Sequence, residues 1–183
     1  QELLQNIIDR AQKDKVRDVV VQAHLVLAKA HENMGNYDAG ITAMEEALRI
    51  SGGGRGLFEM DPAALYMFGH IAEHRGQWMV SRSAYQSLVK EDDTLQTAQR
   101  KIGEMNIRIS RYNDASVALS AAVTLDPTDA TSLFLLTKCY LRLKDYNASR
   151  VVYNLASSCE ENCFDLSLKN EVGKEMKDIL STT

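Results

Sequence analysis

Three stretches of the chain align on one another at a spacing of 34 residues, beginning near Pro62, Gln96 and Ala130. A fourth begins near Val21, 41 residues before the next, once a short insertion is allowed for. A period in this range constrains the fold more than any single residue does. It makes the chain an array of equivalent units, none of which can bury its apolar face alone, so that neighbours must stack. Aligned, the four units share a small residue at Ala28, Gly69, Gly103 and Thr137, each preceded by a bulky one at Leu27, Phe68, Ile102 and Leu136. A turn follows at Gly35-Asn36, Gly76-Gln77, Ser110-Arg111 and Lys144-Asp145, then an aromatic at Tyr37, Trp78, Tyr112 and Tyr146. A second small residue (Gly40, Ser81, Ala115, Ser149), a bulky one (Met44, Tyr85, Leu119, Tyr153) and a modest one (Ala47, Leu88, Ala122, Ala156) complete the pattern.

Each shared choice has a physical reason. Small residues let two helix backbones approach, and bulky ones four or seven positions away fill the space beside them. Apolar residues recur at steps of three and four, the signal of an amphipathic helix. Glycine at the turn adopts the left-handed conformation that ends a helix. The Asp-Pro pairs at 61–62 and 126–127 fit helix starts, with Asp as the cap and Pro in the first turn.

This pattern resembles the tetratricopeptide repeat, a helix-turn-helix of 34 residues, and the resemblance runs from Val21 to Ala156. It departs from the family at Gly40 and Ser81, which replace a small Ala, and at Lys144, which replaces the turn Gly. The resemblance implies an all-α fold, a right-handed solenoid of antiparallel helix-turn-helix repeats with a C-terminal capping helix. The repeats fall at 16–50, 61–93, 94–127 and 128–160, with a Gly-rich loop at 51–60. Leu3, Leu4, Ile7, Ile8 and Ala11 form an apolar stripe, so residues 1–15 read as an N-terminal helix, a partial repeat. Leu168, Val172, Met176, Ile179 and Leu180 form another, so 163–183 read as the cap that such arrays need. A start at Gln1 rather than Met suggests a piece of a longer protein.

Composition narrows the functional classes. The net charge of −4 is mild and argues against bulk nucleic-acid binding. No apolar run is long enough to span a bilayer and no signal-peptide pattern is present, so membrane insertion is not expected and an intracellular setting, cytoplasmic or nuclear, is. Cys139 reads as a small buried hydrophobe, and Cys159 and Cys163 as reduced thiols lacking further metal ligands nearby. His70 and His74 stand four apart on one helix, half of a metal motif, but with no third ligand they read as surface imidazoles beside Tyr66. The Gly-rich segment lacks the Gly-Lys-Ser/Thr end of a phosphate-binding loop and follows no strand, so it reads as a linker. No nucleophile has a neighbouring base, and no cofactor, metal or catalytic residue is expected.

In the family that the chain resembles, the first helix of each unit lines a concave groove. Carried over phase by phase, that groove holds Leu25 and Lys29, Tyr66, His70 and His74, then Arg100, Glu104 and Arg108, and last Phe134, Lys138, Leu141 and Arg142. Arg100, Arg108, Lys138 and Arg142 make its C-terminal half basic, and Tyr66, Phe134 and Leu141 add apolar contact area. The expected partner is a peptide segment with acidic and hydrophobic residues. The alternative is a structural scaffold that assembles through edges, ends or self-association. Chaperone-binding members of the family hold a terminal carboxylate with Lys, Asn, Asn, Lys and Arg. Those phases here carry Leu25, Lys29, Met67, Thr97 and Lys101, so no binding to the tails of Hsp70 or Hsp90 is expected.

Overall fold

The computed structural model describes residues 2–50, 62–159 and 165–182; for Glu2–Gln12, Asp14, Glu91, Leu180 and Thr182 it describes the backbone alone. Among these residues there are nine helices and no strand. They are α1 (Glu2–Asn33), α2 (Tyr37–Ile50), α3 (Pro62–His74), α4 (Trp78–Glu91), α5 (Gln96–Arg108), α6 (Tyr112–Leu125), α7 (Ala130–Arg142), α8 (Tyr146–Ser158) and α9 (Leu166–Thr182). The chain is all-α, a tetratricopeptide-type solenoid in which each repeat is one helical hairpin. The expected loop at 51–60, with Leu57, Phe58 and Met60, lies outside the described residues, as do Asp61 and Cys163. Glu2–Lys15 belong to the same unbroken helix as the first arm of the first repeat.

The four hairpin turns share one geometry. Gly35 and Gly76 have φ of 70°, and Ser110 and Lys144, at the same phase, have φ of 59° and 61°. In each turn the next N–H reaches back to a carbonyl five residues earlier: Asn36 to His31 at 2.9 Å, Gln77 to Ala72 at 2.9 Å, Arg111 to Asn106 at 2.8 Å and Asp145 to Tyr140 at 2.9 Å. These bonds satisfy carbonyls that the helix end would otherwise leave open. Two units thus keep the left-handed turn without glycine, because the two flanking helices over-determine it.

Two compact units divide between Ser87 and Leu88. In the first, α1 pairs with α2, and α3 packs against both. Its core runs through Val21, Leu25, Ala28, Met44, Ala47, Phe68 and Ile71. In the second, α5 pairs with α6 and α7 with α8, while α7 also packs on α5, α6 and α9. Its core runs through Leu119, Leu136 and Cys139, and onward through Phe134, Leu141, Leu168, Val172 and Met176. Burial pushes the Cys139 thiol up to about 12, so it stays protonated and serves as packing.

The small residues sit where helices touch. A Cβ on Gly103 would stand 2.5 Å from Leu119 Cγ, and one on Gly69 would stand 2.8 Å from Tyr85 Cζ. Glycine inside a helix ordinarily costs about 1 kcal/mol relative to alanine. Here the sign reverses, because the new methyl meets the branch point of a buried leucine that has nowhere to go. Gly103→Ala is expected to destabilise the protein by about 1–3 kcal/mol, read as an earlier chemical-denaturation midpoint, whereas Gly35→Ala, in open space, loses only the turn preference.

One helix start differs from its expected form. Asp126 does not cap α7. It stands in extended backbone at the end of α6 and accepts from the Thr128 N–H at 3.0 Å and hydroxyl at 2.8 Å. The Thr128 hydroxyl, then its N–H, hold the Asp126 carboxyl below the usual carboxylate range despite slight desolvation. The cap is Asp129, which accepts from the N–H of Thr131 at 3.1 Å.

Candidate functional site

The first-helix face of the N-terminal unit is formed by α1 and α3. Lys29 Nζ lies 2.7 Å from Glu32 Oε2, and Glu32 Oε1 lies 2.6 Å from His70 Nδ1. His70 Nε2 lies 3.2 Å from His74 Nε2, and the His74 ring stacks on Tyr37 at 4.1 Å and 1°. Four of the expected residues or their neighbours therefore form one polar chain across two helices. Burial acts to raise the pKa of Glu32, but hydrogen bonds and charge from Lys29 and His70 outweigh it and hold the carboxyl low. The His70 ring meets Glu32 through Nδ1 and His74 through Nε2, so it bridges the carboxylate to the second imidazole. Tyr66 is 39% exposed and sets its ring edge-on to Tyr85. Lys29, Tyr66, His70 and His74 all reach this surface. Leu25 does not: it is buried in the core beside Val21 and Ala28, because α3 closes over that side of α1.

On the C-terminal unit, α5, α7 and α9 carry a ladder of ion pairs. Arg100 Nη1 lies 3.1 Å from Asp129 Oδ2 and its Nε 3.7 Å from Glu104. Lys138 reaches both oxygens of Glu171 at 2.8 Å, and Arg142 reaches Glu175 at 2.9 Å. The cations expected to wait for an acidic peptide already have acidic partners on the adjoining helix. Arg108 is exposed at the end of α5. Phe134 and Leu141 are buried rather than exposed, at 1% and 7%. The reason is α9, whose Leu168, Val172 and Met176 join them in one core. The capping helix thus takes the apolar half of the expected groove for itself.

Reasoning from sequence missed Asp129, Glu171 and Glu175. The signal was there: 96 to 129, 138 to 171 and 142 to 175 are each 33 residues apart. That is one less than the period, the offset between facing positions on neighbouring first helices. Among the described residues no group of three or more His, Cys, Asp or Glu is placed to hold a metal ion. No described helix is long and apolar enough to cross a membrane.

A model of the tetratricopeptide repeat matches residues 21–52. No curated protein matches the chain. Among solved structures the chain is similar to YrrB, described as a TPR protein with an unusual peptide-binding site, at 16% identity over 94% of this chain and 88% of that one, with a TM-score of 0.73. It is similar to MamA, residue 41 to the end, from Desulfovibrio magneticus RS-1, at 16% identity over 90% and 97% of the two chains and a TM-score of 0.66. The TPR2B domain of yeast Sti1 in its pHsp70 complex is a further likeness, at 11% identity over 67% and 98%, with a TM-score of 0.59. At these identities the likeness is one of fold. Residues 21–52 are recognised as a tetratricopeptide repeat, and the same hairpin, with the same turn, recurs through α8, so the chain has the tetratricopeptide-repeat fold.

Proposed function

We propose that the chain is a non-catalytic adaptor that binds a peptide segment of a partner protein on its first-helix faces. Tetratricopeptide repeats serve as protein–protein interaction modules and scaffolds. The observation that carries the reading is the side-by-side placement of first helices within each unit, α1 with α3 and α5 with α7. It gives each face a row of polar and aromatic side chains at regular spacing. On the N-terminal unit the contact residues are Lys29, Tyr66, His70 and His74. On the C-terminal unit they are Arg108 and the outer edges of the Arg100, Lys138 and Arg142 pairs. Acidic residues in the peptide compete with Glu171 and Glu175, which sit on exposed or half-exposed pairs and are exchanged at little cost. Tyr66 supplies the rigid anchor for an apolar residue.

The chaperone-tail reading is disfavoured by burial as well as by residue type, since Leu25 and Met67 of the five clamp phases are in the core. The test is selection from a displayed peptide library on the whole chain. Sequences enriched in Asp or Glu with Leu, Ile or Phe are the expected outcome, with affinity lost at least tenfold on Tyr66→Ala with Arg108→Glu while the helical circular-dichroism signal stays. Unenriched charge, undiminished binding to that variant, or selection of EEVD-ended peptides would defeat the proposal.

A further inference from the structure

α1 carries a second apolar face that the fold does not use. Val16, Val19, Ala23, Val26, Ala30 and Met34 follow one another at steps of three and four, and all are exposed, Val26 by 69% and Met34 by 67%. Val20 and Leu27 lie on the same side. At 3.6 residues per turn the seven of these within α1 fill a sector roughly 120° wide, and from Val16 onward no polar residue falls inside it; Met34 follows just past the helix end. The core-facing stripe of the same helix, Val21, Leu25 and Ala28, is narrower. The outward sector leaves an apolar patch on the order of 500 Å², at the upper end of what a monomer ordinarily shows.

The other repeats show what belongs there. One repeat later, the equivalents of Ala23, Val26, Leu27 and Ala30 are Ala64, Met67, Phe68 and Ile71, all buried where α2 packs on α3. In the C-terminal unit the equivalents Ser132, Leu136 and Cys139 are likewise buried, where α6 packs on α7. Each of these first helices therefore carries a second helix on this side, and among the described residues none lies on that side of α1. A hairpin stacked ahead of α1 by the usual short turn would have to end near Val16–Val20, where α1 is unbroken. Nor is α1 shaped as a cap. A cap turns a polar face outward, as α9 does with Asn170, Lys174, Lys177 and Asp178.

We infer that this face of α1 docks an amphipathic helix from a partner protein, in the place that α2 takes on α3, with acidic residues bordering the partner's apolar stripe. Charge selects the partner. Among the described side chains of α1, the borders of the sector hold Lys13 and Lys15, with Gln22, His24, His31 and Asn33, and no carboxylate. The carboxylate of Glu32 faces away and is held by Lys29 and His70. A second copy of this chain would bring the same borders and no acid to meet the lysines. The inference concerns a different surface from the peptide face of α1 and α3 and stands or falls without it.

The test uses the whole chain and two synthetic helical peptides of about 20 residues, long enough to cover five turns. Both carry Leu at three- and four-residue steps; one has Glu and the other Lys at the flanking positions. By fluorescence anisotropy, the Glu peptide is expected to bind at least tenfold more tightly than its Lys twin. V19E with V26E should weaken it at least tenfold, and the milder V26Q should weaken it by less, about threefold. Both substitutions lie at exposed positions, so the melting temperature should hold, and V117E with V151E should change nothing. Equal affinity for the two peptides, no binding by either, or undiminished binding to V19E/V26E overturns the inference. So does a dimer in light scattering that V19E/V26E converts to monomer, since the face would then belong to a second copy.

Discussion

Phe134→Ala should lower the unfolding free energy by about 3–5 kcal/mol, the range for emptying a buried phenylalanine site. In a chain of this size that corresponds to a loss of roughly 10 °C or more in melting temperature. Phe134 is 1% exposed, sets its ring edge toward Tyr153, and shares a core with Leu168, Val172 and Met176 of α9. The removed ring leaves a void between α7, α8 and α9 that three helices held by their own hairpin and cap contacts cannot collapse into. A side chain lining an open groove would behave otherwise, with a change within about 0.5 kcal/mol. The same experiment therefore measures how firmly α9 is seated. Hydrogen exchange should show α9 losing protection first, since its packing partner is α7. A melt unchanged from the wild type would mean that Phe134 is solvated and that α9 does not cover it.

Asp129→Ala is expected to cost a similar amount, about 3–5 kcal/mol, by a different route. Asp129 is 8% exposed. Its carboxylate accepts from Gln96 Nε2 at 2.6 Å, Ser132 Oγ at 2.6 Å, Arg100 Nη1 at 3.1 Å and the Thr131 N–H at 3.1 Å. Removing it uncaps α7 and leaves a guanidinium that is three-quarters buried with Glu104, 3.7 Å away, and the more weakly acting Asp126 as counter-charges. Asp129→Asn keeps a good capping group, so it should recover part of the loss but not the part owed to Arg100. A double-mutant cycle with Arg100→Ala isolates that part, with an expected coupling of about 1 kcal/mol or more. Coupling near zero would show that Asp129 acts as a cap alone. The network also bears on binding experiments, because charge reversal at Arg100 opposes Asp129 and unsettles the fold. Arg108 is the cleaner probe of the face.

The site was half legible, and the line between the halves can be drawn on particular residues. Lys29, Tyr66, His70 and His74 are on the surface where their phase placed them. Leu25, Phe134 and Leu141 share that phase yet are buried. Phase gives the direction in which a side chain leaves its helix. It does not give what stands in that direction, and for Phe134 and Leu141 it is α9. The charge of the second face shows the same limit. Counting Arg100, Lys138 and Arg142 on one surface yields a basic groove, but Asp129, Glu171 and Glu175 come from the next helix along, and only packing brings them within reach.

What the sequence determined by itself is the repeat. The 34-residue period, the small residues at Gly69 and Gly103, and the turn at Gly35 and Gly76 act within one hairpin or between chain neighbours, so spacing alone specifies them. It also placed a turn at Ser110 and Lys144, where no glycine marks it; the backbone there proves left-handed all the same. What only the tertiary structure decided is which faces are left open. Leu27 and Phe68 hold the same phase and are equally apolar, yet α2 covers Phe68 while Leu27 stays exposed. Burial is a property of neighbours, and a periodic sequence writes the same face into every repeat whether or not a neighbour is there to cover it.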